Sequence, residues 1–226
     1  MKNRWATVRS GHNKKYTPPP ARVDLENPIW CYLLGVHLGD GCDSRRIDIA
    51  VGWQEAGWSL NLVKLLRAVG LRPKRNTGRK VIRVRASSQP VMAELNRWKH
   101  GGRLGLWAFP ERVPHLLDFL AGLVDSDGTV TASSGAVTIY QRDNGNIERL
   151  HELLTLHRIT GVLAKYPRQA NAINGRYVAP RVQVQLGIRG TIRDALALHY
   201  QNPVRIRAWR DYRRKYKCAA STVQPP

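Results

Sequence analysis

A nine-residue phrase occurs twice in this chain of 226 residues, as Leu33-Leu34-Gly35-Val36-His37-Leu38-Gly39-Asp40-Gly41 and as Leu120-Ala121-Gly122-Leu123-Val124-Asp125-Ser126-Asp127-Gly128. The matching Asp-Gly ends lie 87 residues apart, which divides the chain into two similar units. Leu and Val at intervals of three and four place an apolar stripe on one helix face. Gly35 and Gly39 in one copy, and Gly122 and Ser126 in the other, are small residues four apart, a spacing that lets two helix backbones touch. The two copies are therefore expected to pack as a close helix pair. Each Asp then stands at the last helical position, and each following Gly, tolerant of the left-handed conformation, is expected to stop the helix.

An acid at a helix C-terminus meets the negative end of the macrodipole. Two such ends side by side are worse, since carboxylates about 4 Å apart repel by roughly 4 kcal/mol at an effective dielectric of about 20. One acid would take up a proton unless something positive sat between them. A hard divalent cation answers that need, because Mg²⁺ favours carboxylates, carbonyls, water and phosphate oxygens. Asp40 and Asp127 thus read as the acids of a phosphodiesterase whose nucleophile is a metal-bound water.

Composition agrees. Lys and Arg number 37 against 16 Asp and Glu, a formal charge of +21, far more than solubility requires, and nucleic acid is the expected polyanionic partner. No long apolar span and no lipidation signal point to a membrane. Cys31, Cys42 and Cys218 are odd in number and lack CxxC spacing, so neither a disulfide framework nor a zinc site is suggested. The basic N-terminus has no signal-peptide core, and a reducing, DNA-containing compartment is expected. His37 reads as a packed core or cleft residue.

The remaining elements repeat in order. Residues 1–27 form a basic extension broken by Pro18-Pro19-Pro20. A first repeat over 28–105 contains the first motif helix, a strand at 46–51, a helix at 54–69, a hairpin of 71–76 and 80–86 around Thr77-Gly78-Arg79, and a helix at 90–99. A linker at 106–112 leads to the second repeat, 113–200. Strands are expected there at 129–132, 136–140, 162–168 and 177–187, with helices from Val113, at 144–157 and at 191–199. A basic tail, 201–226, closes the chain. Gln54 and Gln141 each lie 14 residues after a motif Asp, and both are expected to open the helix after the strands. Gln both donates and accepts hydrogen bonds, which suits it to holding water.

The second phrase is one conservative step from the sequence that names the LAGLIDADG homing endonucleases, and the first resembles the looser form of intein-borne members. The order αββαββα in each repeat is that family's order, and the resemblance covers about residues 28–200. It implies an α+β fold of two pseudo-symmetric repeats packed through the motif helices and forming a saddle of antiparallel sheets. It further implies a monomeric, site-specific double-strand DNA endonuclease using Mg²⁺, or another hard cation such as Mn²⁺, with Ca²⁺ in a non-cleaving complex. The metal site would comprise Asp40 and Asp127 with their neighbours Gly39 and Ser126, and Gln54 and Gln141 would hold waters beside it. Two departures stand out. Leu38 replaces the first acid of the phrase, a position that varies in the family. Trp107 stands where many members carry Lys, so the basic group near the scissile phosphates falls to Lys99 or Arg103 in the first half and Arg205 or Arg207 in the second.

DNA contacts are expected from the polar faces of the strands: Arg46, Arg83, Arg85 and Ser87 in one repeat, and Arg181, Gln183 and Gln185 in the other. Arg reaches guanine edges bidentately, Gln reaches adenine, and strands can lie in the major groove. The tail, from Arg205 and Arg207 to Lys217, is either a helix riding on the DNA backbone or a solvated helix pinned by Trp209, Tyr212 and Tyr216. A competing reading keeps the fold without cleavage, as an RNA-splicing maturase with intron RNA as partner, or as a transcription regulator. Retention of both Asp residues argues against the regulator more than the maturase. A chain that begins with Met and ends without a His-Asn splice end is expected to be free-standing and not part of an intein.

Overall fold

The computed structural model describes residues 21–42, 46–100, 107–108, 113–142, 145–169, 171–173, 176–178 and 181–220. Residues 1–20 of the basic extension, Arg103 and most of the linker, and the last six residues lie outside these.

The first motif helix, α1, spans Pro28–Asp40. Asn27 caps it by accepting a hydrogen bond from Ile29 N at 2.9 Å, and Pro28 occupies the first turn, where its missing N–H costs nothing. Strand β1 (Ile47–Gly52), a 3-10 turn at Trp53–Glu55, helix α2 (Ala56–Ala68), strands β2 (Lys74–Thr77) and β3 (Val81–Ala86) and helix α3 (Gln89–His100) complete the first repeat. The second repeat holds the motif helix α4 (Leu116–Asp127), β4 (Gly128–Val130), β5 (Val137–Arg142), α5 (Asn146–Leu156), β6 (Gly161–Arg168), a small hairpin of β7 (Asn171–Ile173) and β8 (Arg176–Val178), β9 (Arg181–Ile188) and α6 (Ile192–Ala197). The tail is a helix, α7 (Pro203–Ala220).

Both main sheets are antiparallel, ordered β1-β3-β2 and β4-β5-β9-β6. The strand that follows the motif helix is present as β4 in the second repeat, whereas in the first the described residues show a bridge between Gly41 and Ile49. In the central strands, Ile82, Val84 and Ala86 and, opposite them in sequence logic, Val184, Leu186 and Ile188 are buried under helices, leaving the alternate residues on the outer face. The core is one cluster running through both repeats.

Helices α1 and α4 are both buried along most of their length, and glycine makes their contact possible. A Cβ on Gly35 would fall into the carbonyl oxygen of Phe119, and one on Gly122 into the carbonyl oxygen of Tyr32. The expected close helix pair is present, and the contact is reciprocal about the pseudo-twofold axis. The expectation for the stop glycines is corrected. Gly41 (φ −65°, ψ 134°) and Gly128 (φ −106°, ψ 179°) are extended, not left-handed. They are needed for space, since a Cβ would run into His37 at Gly41 and into the Val124 backbone at Gly128.

Candidate active site

The helix pair delivers Asp40 and Asp127 to the same end of the molecule, one from each repeat. A Cβ built on Gly39 would lie 3.4 Å from the Asp127 carboxyl carbon, so Asp127 reaches across to the partner helix. Burial pushes Asp40 up to about 7, the Asp127 and Glu55 carboxylates add to the rise, and Lys99 and Arg205 oppose it. Asp127 is pushed up to about 6 by burial, opposed by Lys99 and by the hydrogen bond from Gln141. Asp40 stands exposed at its helix end and Asp127 half-buried, and a hard cation would favour the ionised form of both. Among the described residues no group of three or more His, Cys, Asp or Glu is gathered, so a cation here would rely on the two acids, with water and phosphate oxygens completing its sphere. Ser126 directs its hydroxyl into its own helix, to Gly122 O at 2.9 Å and Leu123 O at 3.1 Å. Gly39 packs against that hydroxyl.

Two cations meet the motif helices at equivalent places. Lys99 Nζ donates to Gly41 O and to His37 O, the latter at 3.4 Å. Arg205 Nε donates to Val124 O, also at 3.4 Å. His37 precedes Asp40 by three residues and Val124 precedes Asp127 by three, so each cation sits on the last-turn carbonyl of one motif helix, where the macrodipole favours positive charge. Of the described basic residues weighed from sequence, Lys99 and Arg205 reach the site, while Arg103 lies outside the described residues. Arg207 is exposed on α7. Trp107 could not carry a charge, because it is 1% exposed and packed in the core, with its backbone N–H held by Asn146 Oδ1 at 2.9 Å.

The two glutamines are not placed alike. Gln141 lies within β5 and its Nε2 donates to Asp127 Oδ2, whereas Gln54 stands exposed on the 3-10 turn before α2. The expectation that both open a helix fails for Gln141. Register explains the difference. Gly41 pairs with Ile49, eight residues on, and Gly128 pairs with Ile139, eleven residues on, so the same count from Asp ends at different structural positions. Val51, fully buried, occupies the place in β1 that Gln141 occupies in β5.

Sequence reasoning missed Asp125. It is fully buried, and its Oδ2 accepts from Tyr32 Oη at 2.8 Å, Gln201 N at 2.7 Å and Asn202 N at 2.9 Å. Trp58 Nε1 donates to Tyr32 Oη at 2.8 Å, which ties α2 into the same network. Burial raises Asp125 to about 7, with the Gln201 N–H, the Tyr32 hydroxyl and the Asn202 N–H opposing the rise. Asn202 also donates to Glu55 Oε1 at 2.9 Å, and Glu55 pairs with Arg205 at 3.3 Å. The signal was an acid set in an apolar stripe, where Leu38 stands in the other copy.

The outer sheet faces carry the remaining candidates. Asp48 on β1 accepts from Arg83 Nη1 at 3.1 Å and Arg85 Nε at 2.9 Å. Arg46 is exposed at the head of β1. On β9, Gln183 and Gln185 are half-buried on the outer face, and Gln183 lines the pocket that also holds Gly39, Asp127, Gln141, Tyr140 and Arg142. The Arg181 backbone belongs to β9, but its side chain lies outside the described ones. His37 is buried, with Nε2 3.2 Å from Asn96 Oδ1, as a core residue should be.

Residues 114–179 match the family described as a LAGLIDADG-like domain. No curated protein matches the sequence. Among solved structures, the fold is similar to that of the homing endonuclease I-DmoI, from a study of its mesophilic variants, at 15% identity, covering 79% of this chain and 97% of that one with a TM-score of 0.51. I-DmoI in complex with DNA and Ca is similar at 16% identity, with 80% and 95% covered and a TM-score of 0.51. Full-length DUF199/WhiA from Thermatoga maritima is similar at 13% identity, covering 90% of this chain and 63% of that one, with a TM-score of 0.53. Identities this low speak for the fold alone. Residues 114–179 thus form a LAGLIDADG-like domain, and the chain as a whole has the LAGLIDADG fold.

Proposed function

We propose that this chain is a site-specific endonuclease that hydrolyses both strands of a long, asymmetric double-stranded DNA target. The observation that carries the reading is the matched construction of the two helix ends, each pairing one acid with one cation on the carbonyl three residues before it. A ligand that needs two negative groups flanked by two positive ones is a pair of phosphodiesters bridged by cations. A hard divalent ion such as Mg²⁺ or Mn²⁺, held by Asp40 and Asp127 beside Gly39 and Ser126, would supply an activated water and a Lewis acid. Lys99 and Arg205 then face charge that develops on the phosphate oxygens. Gln141 orients the Asp127 carboxylate, and Gln54 serves the solvent-filled edge of the other half. Arg46, Arg83, Arg85, Arg181, Gln183, Gln185 and Arg207 line the DNA path, Arg207 as a phosphate contact. The complexes of I-DmoI with DNA and Ca, and with DNA and Mn, support this partner and this class of ion. The repeat supplies both half-sites, so a monomer suffices.

The test is cleavage of a duplex library with Mg²⁺ and with EDTA, using the parent chain beside Asp40→Asn and Asp127→Asn. Metal-dependent double-strand cutting at one site, reduced by about 100-fold or more or confined to one strand in each variant, is expected. Specific, salt-sensitive binding with no cutting under any divalent ion would replace this reading with a non-cleaving maturase or regulator.

A further inference from the structure

The two outer sheet faces have different chemistry. In the first repeat the rows at Arg85 and Arg83 are each built on an arginine. Arg85 is flanked by Asp48 and Lys74, and Arg83 by Ala50 and Asn76. In the second repeat the rows at Gln185 and Gln183 are each built on a glutamine beside an apolar or aromatic neighbour. Gln185 is flanked by Tyr140 and Ala164, and Gln183 by Arg142 and Tyr166, which is 47% exposed. The readers in each half stand two residues apart on one strand, about 6.6 Å, close to the rise of two base pairs at roughly 3.4 Å each.

Resting on the endonuclease reading above, we infer that the two halves of the DNA target differ in composition. The half on the first repeat presents two guanines to Arg83 and Arg85, held in register by Asp48, and the half on the second repeat presents A·T pairs to Gln183 and Gln185.

Asp48 gives the first half its precision. Its carboxylate is nearly buried, at 7% side-chain exposure, while the two arginines are 42% and 29% exposed. One oxygen takes each guanidinium, so each is held at one nitrogen, Nη1 of Arg83 and Nε of Arg85, and keeps its remaining donors. Five N–H donors per guanidinium leave enough for the O6 and N7 acceptors of a guanine. Ordering two long side chains before the ligand arrives removes an entropy cost that binding would otherwise carry. A sheet pair placed there only for charge would have no use for a carboxylate that cancels part of it. In the second half, Gln matches the N6 donor and N7 acceptor of adenine, and the thymine methyl on the same groove edge meets Ala164 beside Gln185 and the Tyr166 ring beside Gln183. The glutamine face continues to the acids through Gln183, so what it reads is joined to where cutting occurs.

The experiment is selection of binding sites by the full-length chain from a random duplex library in Ca²⁺, repeated with single variants. The parent chain is expected to select two guanines two base pairs apart in one half and A·T pairs in the other. Arg83→Ala and Arg85→Ala should each relax one guanine position by about 10-fold, and Gln183→Ala and Gln185→Ala one A·T position each. Asp48→Asn should relax both guanine positions together while raising affinity for unselected duplex, because a negative charge is lost; a variant that merely unfolds would lose all binding. Equal composition in the two halves, or guanine preference surviving both arginine substitutions, overturns the inference while leaving the endonuclease reading standing. A library that yields no preferred sequence overturns both.

Discussion

The two halves of the molecule agree where they touch each other and differ where they face outward. At the helix pair, Gly35 against Phe119 and Gly122 against Tyr32 are mirror contacts, and the cations on His37 O and Val124 O match as well. Away from it, among the described residues, one half has a main sheet of three strands, a charged outer face and Gln54 exposed on a turn; the other has a main sheet of four strands, a mostly neutral face and Gln141 on its acid. Mutual steric fit ties each motif helix to the other, so neither can change alone. Nothing comparable couples the outer faces. Each needs only to suit the segment of ligand that lies on it, and a target of unlike halves asks for unlike faces.

The firmest part of that comparison is the helix contact, and breaking it should have the largest effect. Gly35→Ala and Gly122→Ala each drive a methyl into backbone, which cannot yield as a side chain would, and each should destabilise the protein by about 3 kcal/mol or more. Gly39→Ala meets the Ser126 hydroxyl instead and should cost less. Urea unfolding of the three variants orders them; near-equal losses would show that the symmetric contact is not the tight one.

A smaller effect sharpens the difference between the glutamines. Gln141→Ala removes the donor on Asp127 and should slow cutting of one strand by about 10-fold, the scale of losing a partner that orients a ligand. Gln54→Ala should change either strand by no more than about 2-fold, since Gln54 is exposed on the 3-10 turn. Strand-resolved rates with Mg²⁺ check this, and equal losses would restore the symmetric assignment.

The smallest effect is in pH. Asp40, Asp125 and Asp127 are raised in the folded protein above the unfolded value of 3.8, so between about pH 4 and 7 the folded chain binds more protons than the unfolded one. Metal-free stability contributed by these groups therefore falls as pH rises through that window. Asp40→Asn should flatten the fall up to about pH 7, and Asp127→Asn only up to about pH 6. Melting temperatures of each variant relative to the parent, without metal, test the order; identical difference curves would show that the two acids share one environment.

Most of the architecture was legible because it rests on local pattern. The first motif helix, the alternation Ile82-Arg83-Val84-Arg85-Ala86 and the helical tail all follow from periodicity and composition read within a few residues. Arg205 and Lys99 were legible only as members of a short list of basic residues. Which of them reached the helix ends depended on how α3 and α7 pack, and Arg207, two residues from Arg205, points elsewhere. Gln141 was misplaced by counting along the chain, since three extra residues between Gly128 and its partner leave it inside β5 and not at a helix start. The small hairpin of β7 and β8 gave no sign beyond a longer interval between strands.

The sequence by itself determined the duplication, the helix pair and the two acids, because small residues four apart and an Asp at a helix end carry their consequence in local geometry. It also determined the charge of +21, on which the proposed nucleic-acid partner rests. Only the tertiary structure decided that Asp48 binds Arg83 and Arg85, that one oxygen of Asp125 is held by Tyr32 and the backbone at 201–202, and that Lys99 and Arg205 serve equivalent carbonyls. Those contacts join residues between 35 and 93 positions apart, and no local rule of helix or strand reaches so far; they exist because packing of the common core leaves each buried or half-buried charge one place to find its partner.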